Sequence, residues 1–327
     1  MPDPSLHSSP PFTICRDGEP VPTALQGAVV AIGNFDGVHR GHQRLIEAAR
    51  EDARRLGGPA ALLTFEPHPR LYFKPDAPLF RLTPEPEKLA LLRRYGLDGA
   101  FVRRFDGALA ALTADAFVRD LLAGALGAAG VVVGHDFHFG RSREGDPDRL
   151  RALCGELGLS CTIVPAVTEG DEVVSSSAIR AALEEGDIAR ANRLLGHRWF
   201  VAAEVRHGHK RGRTLGYPTA NLRLPDETRL RHGIYAVRAQ AGDRHLGGVA
   251  SFGRRPTFDN GAPLLEVFLF DFAGDLYGQT LGVEFLAWIR GEERFESAEA
   301  LVARMDRDSQ EARAALAADR VPSAWGS

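Results

Sequence analysis

Near Gly196 the hydrophobic rhythm of the chain changes, and one layer architecture does not serve both rhythms. Before that point, apolar runs alternate with helical stretches. Ala28–Ile32 reads as a buried parallel strand and Ala60–Phe65 as a second. Pro84–Tyr95 reads as a helix, with Pro early and Gly96 at its end. Ala100–Arg104 is a third strand, Thr113 caps a helix running to Leu126, and Gly130–Gly134 is a strong strand. Asp146 opens another helix, Cys161–Val167 is the next strand, and Ala178–Leu195 reads as two short helices broken at Gly186-Asp187. Repeated βα units predict a mainly parallel, doubly wound sheet whose ligands sit at the carboxyl ends of the strands. After Trp199 the segments are short and alternating: Phe200–Val205, Ile234–Ala239, Leu265–Phe270 and Leu281–Ile289. Turn residues separate them, which predicts a small antiparallel β-barrel, closed by a terminal helix over Ser297–Ala318. The chain is thus α/β plus all-β, with domains expected at 1–195 and 196–327.

Three glycine- or proline-rich motifs follow strands of the first half. In Gly33-Asn34-Phe35-Asp36-Gly37-Val38-His39-Arg40-Gly41-His42, a turn leads into a helix carrying Leu45, Ile46 and Ala49. Backbone N–H groups and a helix dipole at such a start favour an anion. His39 and His42, three apart, share one face and can donate to phosphate oxygens. The His-x-x-His spacing around Gly41 resembles the signature of the nucleotidyltransferase superfamily. Phe65-Glu66-Pro67-His68-Pro69 places His68 between two prolines, as a ligand contact or as part of a rigid loop. In Gly134–Arg141, Asp136 can accept from an amino group or a hydroxyl; Phe137 and Phe139 either flank an aromatic ring or join the core. Ser175-Ser176-Ser177 with Arg180 opens a helix, as an anion cradle, an N-cap, or both.

The second half carries one comparable run, Arg211–Leu222. Gly208 and Gly212 permit close backbone approach, and Thr219 and Asn221 place two neutral oxygens on one side of an extended segment. With phosphate oxygens they suffice for Mg²⁺, which takes few protein ligands. A Walker A loop is excluded, because no Gly-Lys-Ser/Thr is present. Glu266 lies on an apolar strand, either facing solvent, as alternation favours, or serving as a general base in a cleft.

A net charge of −3 gives no reason to expect nucleic acid as a partner. No stretch approaches the roughly 20 apolar residues of a membrane span, and the polar, Pro-rich start holds no signal core. A cytoplasmic protein is expected. Cys15, Cys154 and Cys161 lack metal or redox spacing and are expected to pack.

Together these motifs resemble those of the prokaryotic bifunctional riboflavin kinase/FMN adenylyltransferases, in the same order over roughly Val29 to Asp308. The resemblance implies a Rossmann-like nucleotidyltransferase domain followed by a riboflavin kinase barrel. It implies phosphorylation of riboflavin to FMN, then transfer of AMP from ATP to FMN, with Mg²⁺ as cofactor. By the same resemblance Gly33, Asn34, Phe35, Asp36, His39, His42, Asp136, Ser176, Ser177 and Arg180 hold ATP for adenylyl transfer, with His39 and His42 catalytic. Gly208, Arg213, Gly216, Thr219 and Asn221 serve ATP in the kinase, Thr219 and Asn221 also taking the metal, and Glu266 is the base toward the ribityl 5′-hydroxyl. Riboflavin, FMN and ATP are then the partners of a monomer or weak homo-oligomer. Two departures stand out: Ser177 where the family usually has Thr, and His209 where an acidic residue is common.

Overall fold

The computed structural model describes residues 12–208, 216–254 and 263–326. They fall into two compact units. The first runs to Leu79 and from Pro84 to Thr168; the second takes Phe80–Thr83 and everything from Glu169 onward.

The first unit is built on six parallel strands: β1 (Thr13–Arg16), β2 (Val29–Ile32), β3 (Ala60–Glu66), β4 (Gly99–Arg104), β5 (Gly130–Gly134) and β6 (Ser160–Val164). Their order is β1-β4-β3-β2-β5-β6. Helices α1 (Arg40–Leu56), α2 (Pro69–Phe73), α3 (Glu85–Arg94), α4 (Gly107–Ala110), α5 (Ala114–Ala116) and α6 (Pro147–Leu157) connect them. All four residues of β2 are buried, as a strand covered on both faces requires. Helix α1 buries Leu45, Ile46, Ala49 and Ala53 on one stripe and ends at Gly57 in the left-handed conformation. From β2 the chain winds outward through β3 and β4, then returns to the other side of β2 for β5 and β6. That reversal puts the topological switch point between β2 and β5, where the following loops diverge and leave a crevice.

Differences from the sequence reading are local. Strand β1 was not expected. The last strand of the sheet begins at Ser160 and ends at Val164. The helix capped by Thr113 widens after one turn into a π-helix over Phe117–Ala125, with the Leu126 N–H donating to the Leu121 carbonyl five residues back. All three cysteines are free, with Cys15 and Cys154 buried in the core and Cys161 half-buried.

In the second unit, β7 (Thr168–Glu169) spans the division, followed by β8 (Glu172–Val173), α7 (Ser176–Glu185) and α8 (Ile188–Leu195). Six antiparallel strands then close a barrel: β9 (Phe200–Arg206), β10 (Thr219–Arg223), β11 (Gly233–Ala241), β12 (Arg244–Arg254), β13 (Pro263–Leu269) and β14 (Thr280–Arg290), in the order β10-β13-β12-β11-β14-β9. Strands β10 and β12 go beyond the four segments picked from alternation. Leu222, Tyr235, Val237, Phe252, Leu265, Val267 and Phe285 fill the interior and are buried. Asn192 of α8 clamps that helix to the barrel: its amide donates to the Phe285 carbonyl at 2.9 Å and accepts from the Trp199 N–H at 2.8 Å. Phe80–Thr83 belongs here because the Trp199 indole donates to the Leu82 carbonyl at 3.1 Å and the Arg180 Nε to that of Phe80 at 2.6 Å.

Helix α9 (Ala298–Ala318), capped by Ser297, lays Ala312 and Leu316 over Ala236, Phe270 and Leu286 on the outside of the barrel. Its polar anchor is Asp308, 2% exposed, which receives the Arg290 guanidinium through Nε at 2.9 Å and Nη2 at 2.7 Å. Removing one partner leaves the other charge buried and unpaired. Asp308→Ala is therefore expected to cost the barrel unit about 3 kcal/mol, read as a lowered midpoint in urea or thermal unfolding. An unchanged midpoint would show that this ion pair does not hold α9 in place.

Candidate functional sites

The loop between β2 and α1 has an unusual backbone. Phe35 and Val38, neither of them glycine, take φ of 51° and 44°, and Gly37 takes 91°. Such conformations cost energy and persist only where the surroundings impose them. Here the Phe35 ring is wholly buried and stacks on His42, with centroids 4.6 Å apart, and His42 stacks on His39 at 3.6 Å. Gly33 suits this packing, since a Cβ there would lie 3.0 Å from the Phe35 ring and press on it. His39 is the N-cap of α1, its Nδ1 accepting from the His42 backbone N–H at 3.3 Å. An Nδ1 that accepts leaves the ring proton on Nε2, so a neutral His39 presents an Nε2–H donor.

Burial, helped by the charges of His39 and Lys88, holds the His42 imidazole well below its ordinary titration range, so it is neutral near pH 7. Its Nδ1 is buried and has no hydrogen-bond partner among the described residues. Asp36 is also buried, 2% exposed. A stacked pair of imidazoles at the start of a 17-residue helix, beside a sheet's switch point, suits a polyanion whose charge grows during reaction.

The other motifs of the first unit divide. Asp136 is exposed in the turn after β5, the strand beside β2, its Oδ1 folded back to within 3.1 Å of where a Gly134 Cβ would stand. Phe139 is 5% exposed, and Phe137 stacks on it at 5.5 Å; both belong to the core. His68 serves as the N-cap of α2, its Nδ1 accepting from the Arg70 N–H at 3.1 Å. Two features escaped the sequence reading. One is an aromatic cluster on α2: Phe73, 65% exposed, meets Tyr72 and Phe105 edge to face. The other is Lys88, wholly buried beneath the β2–α1 loop. The rarity of lysine, with only Lys74, Lys88 and Lys210 in the chain, was the one available hint.

In the second unit Ser175 supplies the N-cap of α7, accepting from the Ala178 N–H at 3.1 Å. Ser176 and Arg180 are half-buried and Ser177 is exposed. On the barrel, strand register brings distant residues together. Asn221 of β10 lies directly opposite Glu266 of β13, which in turn lies opposite Ser251 of β12. Leu265 and Val267 point into the barrel, so Glu266 and Asn221 share its outer face. Gly208 lies against Asn221: a Cβ there would stand 2.5 Å from the Asn221 amide nitrogen. That nitrogen donates to the Thr219 carbonyl at 3.3 Å, which turns Oδ1 toward any cation or donor. Tyr217, packed on Phe268 at 4.7 Å, donates its hydroxyl to Asp306 of α9. Gly216 is exposed, with φ of 83°. Arg213 and His209 lie outside the described residues.

Comparison with known proteins separates the chain at a similar place. A family model described as FAD synthetase matches residues 21–178, and one described as riboflavin kinase matches 195–316. Over 289 residues the chain is 42% identical to the bifunctional riboflavin kinase/FMN adenylyltransferase of Escherichia coli strain K12, covering 88% of this chain and 92% of that one. The enzyme of the same name from Bacillus subtilis strain 168 is 37% identical over 294 residues, covering 87% and 91%. A solved structure from Streptococcus pneumoniae, described as a macrolide-efflux protein, superimposes with a TM-score of 0.81 at 34% identity, covering 88% and 94%. Among the described residues of this chain, no helix is long and apolar enough to cross a membrane.

The His42 environment makes a measurable prediction. An unfolded chain protonates this imidazole near the ordinary value of 6.5, whereas the folded protein resists until well below it. Stability is then lost as pH falls below about 6.5, because the unfolded state binds the extra proton. Urea unfolding at pH 7.5 and 5.5 is expected to show a smaller loss in His42→Gln than in the parent. Equal losses would place the imidazole in an ordinary, solvated setting.

Proposed function

The chain belongs to the bifunctional riboflavin kinase/FMN adenylyltransferase family, and from that premise we propose how its own residues divide the work. It is a transferase of FAD biosynthesis: it phosphorylates riboflavin with ATP to FMN, then transfers AMP from ATP to FMN and releases pyrophosphate. Residues 1–195 carry adenylyl transfer and residues 196–327 carry the kinase, a division supported by the spans of the two family models.

In adenylyl transfer an FMN phosphate oxygen attacks the α-phosphorus of ATP. Charge builds on the α-phosphoryl oxygens and on the departing pyrophosphate, and donors aimed at it lower the barrier. His39 offers its Nε2–H from the N-cap of α1, and His42 stands stacked beside it. Gly33 and Asn34 line the crevice with backbone, while Phe35 and Asp36, both buried, shape it. Across the switch point, exposed Asp136 accepts from the nucleotide. Ser176, Ser177 and Arg180, at the start of α7, take phosphate oxygens. Exposed Phe73 offers the flavin ring a stacking face.

In the kinase, Glu266 takes the proton of the ribityl 5′-hydroxyl as the hydroxyl oxygen attacks the γ-phosphorus of ATP, whose bond to the β-phosphate bridging oxygen breaks to release ADP. The observation that carries this reading furthest is the pairing of Glu266 with Asn221 across β13 and β10, which sets a carboxylate beside a neutral amide oxygen. Mg²⁺ fits here: Thr219 and Asn221 are hard, uncharged oxygen donors, and the Asn221 amide nitrogen is turned away toward its own strand. When bound, the ion neutralises charge on the phosphates. Gly208, Gly216 and Arg213 serve the ATP phosphates. The small net negative charge supports a protein without nucleic-acid partners, and we place its action in the cytoplasm as a monomer or weak homo-oligomer.

Purified protein given riboflavin and Mg·ATP is expected to form FMN first and FAD later, as separated flavins show. His42→Ala should lower FAD formation by about 10²-fold or more while sparing FMN formation. Glu266→Ala should do the reverse. Equal loss of both activities in either variant would refute the two-site assignment.

A further inference from the structure

Lys88 is the least expected residue of the first unit. It sits on α3, which also buries Leu89, Leu91 and Leu92, and it is only 1% exposed. A buried ammonium is costly, and an apolar side chain of similar length would pack there without that cost. Three of its bonds converge on one place. Nζ donates to the Asn34 carbonyl at 3.3 Å, to Thr64 Oγ1 at 3.0 Å and to Glu66 Oε1 at 2.9 Å. Thr64 Oγ1 in turn donates to the same Asn34 carbonyl at 3.4 Å.

Asn34 is the residue before the strained Phe35. Its carbonyl fixes the peptide plane from which Phe35 departs at φ 51°, and hence the direction of the ring beneath His42. The far end of the loop is tied separately, by the Gln43 side chain donating to the Val38 carbonyl at 2.8 Å and by the His39 cap. Without Lys88, the near end retains only the Thr64 hydroxyl among these side-chain ties.

We propose that Lys88 is a positioning residue for adenylyl transfer: by gripping the Asn34 carbonyl from below, it holds the strained loop in the shape that stacks Phe35, His42 and His39 for the phosphates. The proposal rests on the site reading above. A second consequence supports it. The titratable groups whose charge acts on His42 are His39 on its own turn and Lys88 from α3, and both disfavour a second positive charge there.

The test uses the full chain with Lys88→Met, which keeps length and packing and removes the charge and its donors. FAD formation from FMN and Mg·ATP is expected to fall by at least about 10²-fold in kcat, a loss of the size seen when transition-state donors are misplaced. The KM for ATP should change less than about threefold, as expected of an effect confined to the transition state. FMN formation from riboflavin in the same preparation serves as the control on the barrel unit and should be unchanged, and a parental NMR spectrum of the first unit away from the β2–α1 loop serves as the control on folding of that unit. The His42 imidazole, followed by NMR, should titrate at higher pH than in the parent, since one of the charges that oppose its protonation is gone. FAD formation within about threefold of the parent, with FMN formation intact, would overturn the proposal. So would a loss carried entirely by KM with His42 titrating as before. If Lys88→Met does not fold, Lys88→Gln, which keeps a polar group but shortens the side chain and removes the ammonium, replaces it; it is expected to lower FAD formation alone by about tenfold, and parental FAD formation in it overturns the proposal. A fully active His42→Ala would instead sink the site reading itself, whatever Lys88→Met does.

Discussion

Strand β2 has hydrogen-bonded neighbours on both sides, and the first site follows from what its chain must do on leaving the sheet. Val29–Ile32 is wholly buried, so the strand cannot end in solvent. It has to turn at the switch point and enter α1 within a few residues, between the loops that leave β3 and β5. Right-handed crossovers on both sides keep those loops apart and leave the space open. A short connection in that space is tight, which explains positive φ at Phe35 and Val38 where a longer loop would have relaxed. The same tightness aligns the imidazoles: a cap residue and the third residue of its helix are forced into one stack.

The barrel reaches chemical order by a different route. Closure fixes every register, so residues far apart in sequence become direct neighbours without any loop to arrange them. Glu266, Asn221 and Ser251 come from three strands and meet on one outer face because the barrel's interior claims Leu265, Leu222 and Phe252. A shift of one residue in β13 would turn Glu266 inward and Leu265 out, a change the core resists on every strand it touches. Position at this site is therefore set by hydrophobic packing one side chain away, whereas at the β2–α1 loop it is set by backbone strain and buried hydrogen bonds.

Periodicity made the two architectures, the parallel strands and the caps at Thr113, Asp146 and Ser175 legible, since each is a local signal with a local cause. What it missed has physical reasons. Strand β1 is four residues at a sheet edge with only Cys15 buried, too little for a pattern. Strand β12 contains Gly247, Gly248 and Gly253, which punctuate a sequence like turns. At Gly247 a Cβ would lie 2.6 Å from Leu316 of α9, and at Gly248 2.4 Å from the Phe268 carbonyl. These glycines mark close approach inside a strand, not its end. The histidines at the start of α1 were readable because the motif is contiguous. The pairing of Glu266 with Asn221 was not, because alternation tells which face a residue takes and not who stands opposite.

Buried charge is the least legible element of all, and three junctions of the described residues rest on it. Lys88 joins the loop after β2 to the end of β3. Glu284, fully buried, receives Arg198 at 3.0 Å and the Ser323 hydroxyl at 2.7 Å, while Arg198 also grips Asp319, tying the residues after α9 to β14 and to the chain entering β9. Arg290 and Asp308 fasten α9 to the end of β14. Apolar contacts of equal volume would stabilise each junction at least as well, but they tolerate sliding and rotation. An ion pair with two or three directed bonds has one arrangement. Each of these three junctions joins segments whose relative placement the surrounding core does not determine: a strained loop, a C-terminal segment without regular structure, and a helix lying on the curved outside of a barrel. Directed charge stands at the points where shape alone would leave the chain a choice.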